Sequence, residues 1–332
     1  MIATQKDGAP PSASDIVKLT PPDIAPYREG NTGIPFVTTF TSATPGPHVM
    51  LCALMHGNEI SGALALDHVF RHEIRPQRGE LSLVFANVAA FGLFDRRDPY
   101  ASRFVDEDMN RLWDPEMLSR DIRSVERMRV QALRPLVDRV DHLLDLHSML
   151  AGIQPLLLCG PSEKGRALAR SLGSAATIVS DPGHADGTRL RDYGRFNTPG
   201  APQTALLAEC GGHWQCATAQ TAIDTTYRFL RATGTIAAET AAPHIGFASP
   251  PDRWVKVMDR FIPQTDTATF AQPFTGLETI PAAGTIFARD GNRDIRTPFD
   301  NCVMVMPARR LTRGKTAVRL GQWQTFTGPA DA

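Results

Sequence analysis

Five short runs of mostly apolar residues stand out between residues 48 and 210. They read HVMLCAL from His48, ELSLVFAN from Glu80, DHLLDLH from Asp141, QPLLLCG from Gln154 and TALLAEC from Thr204. Apolar runs without regular polar alternation are expected of strands that are covered on both faces, as in parallel sheets. We therefore predict five buried strands in this part of the chain.

The segments between these runs place apolar residues at helical spacing. Ile60 and Leu64 begin such a pattern over 59–74, and similar patterns predict helices over 116–138 and 215–232. Strands that alternate with helices are typical of an α/β domain. The expected fold is a mostly parallel or mixed sheet flanked by helices.

The sequence pattern changes after the last predicted helix. From about residue 252 onward, short β-rich runs are separated by Gly, Pro and Asn, without a helical period. We predict three parts: an irregular N-terminal arm over 1–30, an α/β domain over 31–243, and a small C-terminal β-sandwich or barrel-like domain over 244–332.

Composition narrows the class of protein. The chain has 332 residues, enough for a sizeable core, and its 35 basic and 35 acidic residues cancel without forming a long block of one sign. This balance argues against a nucleic-acid or membrane-surface partner and favours a small molecule. No secretory signal or stretch of 18 apolar residues is present, so we expect a cytoplasmic protein with free cysteines. The oligomeric state stays open, a homo-oligomer included.

A histidine and a glutamate follow the first apolar run, in the sequence HGNE over 56–59. Ligands of open α/β sheets gather at the carboxyl ends of the strands, where this motif lies. Imidazole nitrogen and carboxylate oxygen both suit zinc, and Gly57 eases a turn that brings His56 and Glu59 to one ion. Alternatively, Glu59 only lies in the first turn of a helix, near the positive end of its dipole.

A second histidine, His147, ends the run DHLLDLH. With His56 and Glu59 it makes the two-histidine, one-carboxylate set of hydrolytic zinc sites, which leaves one position open for water. Asp145 lies two residues earlier on the same strand face, where it can orient a ligand imidazole. Otherwise, His147 is a hydrogen-bonded histidine at a strand end.

A glutamate, Glu209, lies near the end of the run TALLAEC in the same way. A carboxylate at this place can act as a general base, which takes a proton from water and passes it to the leaving nitrogen of an amide. Its alternative roles are helix capping or a salt bridge.

The stretch ASRFVDEDMNRLWD over 101–114 places Arg103, Asn110 and Arg111 in a loop-like segment. Guanidinium groups bind carboxylates through paired hydrogen bonds, and an arginine near a metal can stabilise a developing oxyanion. The alternative is a solvated loop whose arginines pair with neighbouring acidic residues.

Three further histidines carry weaker signals. His68 and His72 are four residues apart, which is a metal-like spacing, but no third ligand is near them in the sequence. We interpret their helical face as solvated. His184, in the stretch SDPGHADG, is a further candidate for the site at the strand ends.

The motifs HGNE, SRFVDEDMNR, DLHS and AEC, in this order and on these elements, resemble the succinylglutamate desuccinylase and aspartoacylase family, a branch of the zinc carboxypeptidase-like fold. The resemblance covers roughly residues 30–235, and an appended β domain is also typical of the family. It implies that His56, Glu59 and His147 hold one zinc ion per chain.

The same resemblance implies the roles of four other residues. Glu209 corresponds to the catalytic carboxylate of the family, and Arg103 to its oxyanion-stabilising arginine. Asn110 and Arg111 correspond to residues that grip a substrate carboxylate.

Two departures from the family pattern concern the substrate. Aspartoacylases have another arginine shortly before the catalytic glutamate, which grips a second carboxylate, whereas this chain has Pro199 there. Arg189, Arg191 and Arg195 are candidate substitutes. The chain also has no tyrosine after Tyr227, so the tyrosine that the β domain adds to the aspartoacylase pocket is missing. These departures argue against N-acetylaspartate as the substrate.

The sequence therefore predicts a zinc-dependent hydrolase that cleaves the amide bond of a small, anionic N-acylated amino acid or a related amide. Carboxypeptidase-like cleavage of a short peptide stays open, since Asn110 and Arg111 would recognise a terminal carboxylate equally well. A third hypothesis is a catalytically idle member that binds a metabolite or a partner protein. Glu209 beside a full ligand set argues against it, because a binding protein needs no proton shuttle.

Overall fold

The computed structural model describes residues 16–119, 122–149, 154–184 and 186–327. Within these ranges the chain forms fourteen strands and seven α-helices. None of these helices is both long and apolar enough to cross a membrane. The five cysteines are free, as their scattered spacing predicts.

The main element in the described part of the chain is a mixed sheet of eleven strands. Numbered along the chain and given in spatial order, they are β1 (Val37–Thr41), β3 (Glu80–Phe85), β2 (His48–Ala53), β4 (His142–Met149), β7 (Thr204–Gly212), β5 (Leu156–Cys159), β6 (Thr177–Ser180), β8 (Arg253–Phe261), β14 (Val318–Thr325), β13 (Cys302–Val305) and β10 (Thr279–Ile280). Strands β3, β2, β4 and β7 run parallel, whereas β1 and β5 are antiparallel to their neighbours β3 and β7. All five predicted strands are present, and the predicted fold class is confirmed.

The C-terminal strands divide between two sheets. Strands β9 (Thr269–Phe270), β11 (Ile286–Asp290) and β12 (Arg293–Arg296) form a separate antiparallel sheet. The others continue the main sheet, because β8 pairs with β6 in parallel and β14 pairs with β8. The division of the chain near residue 244 stays a prediction, but this pairing brings C-terminal side chains such as Arg319 next to the α/β region.

The helices are α1 (Ile60–Arg71), α2 (Val88–Phe91), α3 (Pro115–Ser119), α4 (Val125–Val137), α5 (Glu163–Ser171), α6 (Cys216–Ala232) and α7 (Ala238–Ala241). Helices α1 and α6 confirm the predictions over 59–74 and 215–232. The single helix predicted over 116–138 is wrong, since α3 and α4 divide this segment. The Ser124 hydroxyl accepts a hydrogen bond from the Arg127 amide at 3.1 Å, which caps α4 and fixes its start.

The core lies on both faces of the sheet, as the continuous apolar runs predict. On β2, Val49, Leu51 and Ala53 pack into the cluster that includes α1 and α6. Met50 and Cys52 point to the opposite face and pack into the cluster that includes α4. Because both faces are buried, the strand ends are the places where polar side chains of the sheet meet solvent.

Candidate functional site

The predicted site residues lie around one cavity of about 430 Å³ at the carboxyl ends of β2, β4 and β7. His56 follows β2, and Glu59 immediately precedes α1. His147 and Glu209 are direct neighbours on the parallel strands β4 and β7. The strand order therefore brings together residues that are far apart in the sequence.

Gly57 allows the turn between His56 and Glu59 to pack closely. A Cβ atom on Gly57 would lie 2.3 Å from the Ala90 carbonyl carbon and 2.5 Å from the Ser102 oxygen. Both are backbone atoms, so a larger residue would force the loops apart. The Gly57 amide donates to the Arg103 carbonyl at 3.1 Å, which ties the HGNE turn to the loop that carries this arginine.

The Glu59 carboxylate lies between two imidazole rings. Its Oε1 is 2.7 Å from Nδ1 of His56, and its Oε2 is 2.8 Å from Nδ1 of His147. All three residues are buried, and one ligand atom from each lies within 4.8 Å of the others. Burial raises the pKa of Glu59, but the two imidazoles outweigh it and hold that pKa well below its usual range.

The outer nitrogen of each ring faces an aspartate. Nε2 of His147 is 2.9 Å from Oδ2 of Asp145, and Nε2 of His56 is 3.0 Å from Oδ1 of Asp108. Each aspartate can accept a hydrogen bond from Nε2 of its ring, which would leave the Nδ1 lone pairs for an ion at the common centre. Two imidazole nitrogens and one carboxylate, buried and oriented in this way, fit a zinc ion.

Arg103 lies beside this triad. Its guanidinium is 3.2 Å from Oε1 of Glu59, 3.0 Å from Nε2 of His56 and 3.4 Å from Oδ2 of Asp108. Burial disfavours the charged form, but Asp108 and Glu59 more than offset it and raise the pKa of Arg103. The cavity therefore has a charged hydrogen-bond donor next to the triad, and 33% of the Arg103 side chain is exposed.

Glu209 is a further acidic residue in the lining of the cavity. The residue is buried, and its Oε2 has no hydrogen-bond partner among the described residues. Burial raises the pKa of Glu209 to about 8, with a further contribution from the charge of Glu59. A buried carboxyl group with one unpaired oxygen and a raised pKa has the properties of a proton acceptor and donor.

The Asn110 side chain makes hydrogen bonds within the protein and is not free to bind a substrate with both of its polar atoms. Its Oδ1 accepts a hydrogen bond from the Leu190 amide at 2.9 Å, and its Nδ2 is 3.4 Å from Nε2 of His147. The side chain lines the cavity but also connects the 101–114 loop to the segment before β7. Its amide group is the part that faces the triad.

Arg111 lies on the wall of the cavity beside a histidine. Its Nη1 donates to the Asn110 carbonyl at 2.8 Å, and its Nη2 is 3.2 Å from Nε2 of His184. Burial and the neighbouring arginines lower the pKa of His184 to about 2, so this ring is neutral. The sequence-based hypothesis that His184 approaches the site agrees with its place in the cavity lining.

Two further arginines line the cavity near Arg111. Arg189 is 3.0 Å from Asp181 and 2.7 Å from Asp192, and its Nη2 is buried without a hydrogen-bond partner among the described residues. Arg319, on β14, is 3.0 Å from the same Asp181 carboxylate. Of the candidate substitutes for the missing family arginine, Arg189 reaches the cavity. Arg191 is buried outside its lining, and Arg319 lies in no motif that marks it as a cavity residue.

Pro199, at the position of the family arginine, is exposed, and so is Arg195. The Arg195 guanidinium donates to the Asp138 carbonyl at 2.9 Å. The segment that would carry the second carboxylate arginine is therefore directed to the surface. Besides Arg103 and Arg111, the positive charge at the cavity comes from Arg189 and from Arg319 on β14.

Comparisons with known proteins agree with the motifs. Residues 45–230 match the family model of the succinylglutamate desuccinylase/aspartoacylase catalytic domain. A search among curated proteins gave no significant match.

Solved structures of similar fold have low sequence identity to this chain. The succinylglutamate desuccinylase of Vibrio parahaemolyticus is 17% identical, with a TM-score of 0.63 over 86% of each chain. The product-bound ectoine utilization protein EutE (DoeB) of Ruegeria pomeroyi is 15% identical, with a TM-score of 0.59 over 88% of this chain and 92% of its own. Murine aminoacylase 3 is 16% identical, with a TM-score of 0.56 over 85% of this chain and 97% of its own. These likenesses show a common fold.

Proposed function

The chain belongs to the succinylglutamate desuccinylase/aspartoacylase catalytic-domain family, and on this basis we propose that it is a zinc-dependent hydrolase of small N-acylated amino acids or related amides. One observation carries the proposal. The Glu59 carboxylate faces Nδ1 of both His56 and His147 at a cavity that Glu209 also lines, and a buried oxygen of Glu209 has no partner among the described residues. A metal-ligand set and a proton shuttle at one cavity are the parts that amide hydrolysis needs.

His56, Glu59 and His147 would hold the zinc ion, with Asp108 and Asp145 fixing the two imidazole rings from outside. Bound there, zinc supplies a Lewis acid and makes water a stronger nucleophile at neutral pH. The buried position of all three ligands would keep this chemistry away from bulk solvent.

Glu209 and Arg103 supply the remaining functions. Glu209 takes a proton from the attacking water, a C–O bond forms at the amide carbonyl, and the same residue gives the proton to the nitrogen as the C–N bond breaks. Arg103 donates hydrogen bonds to the carbonyl oxygen as its negative charge develops. The products are a carboxylic acid and a free amine.

The arginines of the cavity favour an anionic substrate. One part of the cavity is lined by Arg111, Arg189 and Arg319. Arg189 and Arg319 both pair with Asp181. The buried Nη2 of Arg189 has no acceptor within the described part of the chain, and a buried unpaired donor costs free energy. A substrate carboxylate would supply that acceptor. We therefore propose that this region binds a carboxylate in place of the missing family arginine.

A turnover panel tests the proposed function. We expect the zinc-loaded enzyme to release free amine from N-acetyl or N-succinyl derivatives of amino acids. Faster release from dipeptides would favour carboxypeptidase-like cleavage instead. Zinc binding without turnover of any amide in the panel would favour a member that only binds a ligand.

Two arginines should have separable effects on the kinetics. Arg111 would bind a carboxylate in ground and transition states alike, so Arg111→Ala should raise KM by about 10- to 100-fold with little change in kcat. Arg103 would act mainly in the transition state, so Arg103→Ala should lower kcat by about 10²- to 10³-fold. Steady-state kinetics on the best substrate of the panel measure both parameters.

The surface residue Arg97 provides a control, since it pairs with Asp95 at the exposed end of a neighbouring loop. Arg97→Ala should leave both parameters within about twofold, as expected of a surface substitution. If Arg103→Ala and Arg111→Ala both lower kcat and raise KM to a similar extent, this division of roles is refuted.

A further inference from the structure

Three histidines meet at the end of α1 that is remote from the cavity. His68 and His72 lie one helical turn apart near the C-terminus of α1. His244 ends a 3-10 helix over Ala242–His244, shortly before the C-terminal strands begin. No third ligand lies near His68 and His72 in the sequence, but the fold brings His244 to them from a distant part of the chain.

The three rings have the spacing of a metal-ligand set. Ring centroids are 3.8 Å apart for His68 and His72, and 5.0 Å from each of these to His244. One ring nitrogen from each lies within 4.8 Å of the others. Nitrogen ligands in a tetrahedral zinc site are about 3.3 Å apart, given zinc–nitrogen distances of about 2.0 to 2.1 Å. His68 and His72 are stacked at an interplanar angle of 15°, so their side chains must rotate before their nitrogens converge on one ion.

Two of the rings are held through Nδ1, and the third is held by stacking on an aromatic ring. Nδ1 of His72 is 2.9 Å from the His68 carbonyl, which can only accept, so Nδ1 carries the proton and Nε2 keeps its lone pair. Nδ1 of His68 is 3.0 Å from the Tyr227 hydroxyl, and the Tyr227 ring stacks on His244 at 4.0 Å. Such partners are typical of the groups that orient histidine ligands around a metal.

The three histidines are accessible, and they can bind a cation through imidazole nitrogens alone. His72 is exposed, whereas His68 and His244 are half-buried. Burial and the two neighbouring imidazoles lower the pKa of His68 to about 4, so this ring is neutral at pH 7. Neutral imidazole is a good ligand for zinc, copper and nickel.

We propose that His68, His72 and His244 form a second metal site, which binds a divalent transition ion such as zinc. It is separated from the first triad by the length of α1, about 18 Å for its twelve residues. An ion at this place would join the C-terminus of α1 to the segment that leads into the C-terminal strands. The site is independent of the proposed hydrolysis.

Zinc stoichiometry tests this site on the full-length chain. After equilibrium dialysis against zinc, the parent should bind two equivalents per chain, and His72→Gln and His244→Ala should each bind one. Glutamine at position 72 keeps a donor for the His68 carbonyl but lacks an imidazole lone pair. His142→Ala, which changes a histidine of neither group, should still bind two. Hydrolysis by the trio variants should equal that of the parent, which also shows that they fold.

The outcomes separate this proposal from the first one. If the parent binds a single equivalent that His147→Ala removes, the trio binds no zinc, whereas the hydrolytic site stands. If His72→Gln removes the single equivalent instead, the trio binds zinc and the assignment of the hydrolytic site fails. Equal zinc binding by the parent, His72→Gln and His244→Ala overturns the second site.

Discussion

Replacement of Glu209 by glutamine is expected to lower kcat by about 10²- to 10⁴-fold, the usual contribution of general acid–base catalysis. Glutamine keeps the size and much of the hydrogen bonding of glutamate but cannot accept a proton from water. The Oε2 atom without a partner among the described residues and the pKa raised to about 8 support this proposed role of Glu209. Single-turnover hydrolysis of the best N-acyl amino acid measures the loss directly.

The same variant should keep its metal and its substrate affinity. Because Glu209 is proposed as a shuttle and not as a ligand, zinc content should be unchanged and product affinity should stay within about tenfold, or about 1.4 kcal/mol. Glu239→Gln, at an exposed glutamate on α7, should behave like the parent. Loss of zinc from Glu209→Gln would mean that Glu209 is a ligand, and retained activity would place the proton shuttle elsewhere.

Replacement of His147 by alanine should remove one zinc equivalent and most of the activity. The Nδ1 atom that faces Glu59 is lost, and two ligands bind zinc far less tightly than three. Loss of the ion would remove several kcal/mol of transition-state stabilisation, so kcat should fall by at least about 10²-fold. Metal analysis in the His72→Gln background restricts the measurement to this site.

His142 provides a matched control, since it begins the same strand that carries His147. His142→Ala should keep the zinc and the activity, and circular dichroism should show that both variants are folded. Full zinc occupancy in His147→Ala would exclude His147 from the ligand set.

The sequence was informative about the site because the site uses strand ends. His56, His147 and Glu209 each follow or end an apolar run, and parallel strands bring such ends to one edge of a sheet. The position of each residue could therefore be inferred from local patterns and the order of the strands. Their family roles stay predictions for the experiments above.

Other parts of the site depend on contacts that no local pattern encodes. Asp108 stands near Arg103 in the sequence, but only the folded loop turns its carboxylate toward His56. Arg319 reaches the cavity because β8 pairs with β6 and β14 pairs with β8, and a run of short β-rich segments does not specify this pairing. The contact of His244 with His68 and His72 likewise joins distant parts of the chain, and no local sequence pattern encodes it.

The secondary structure shows a similar limit. The continuous apolar runs predicted the central strands, whereas β1 and β6 were missed because three of five residues in β1 and two of four in β6 are polar. The division of the predicted helix over 116–138 depends on the Ser124 cap, which competes with a continuous helical period.

A zinc titration of the metal-depleted enzyme tests the central claim most directly. The protein, carrying His72→Gln so that the trio does not bind the ion, is stripped with a chelator and assayed on its best N-acyl amino acid as zinc is returned. We predict almost no amine release without metal, and a linear recovery that ends at one equivalent per chain. Full hydrolysis by the stripped enzyme, or recovery that does not follow zinc occupancy, would contradict a zinc-dependent hydrolase at His56, Glu59 and His147.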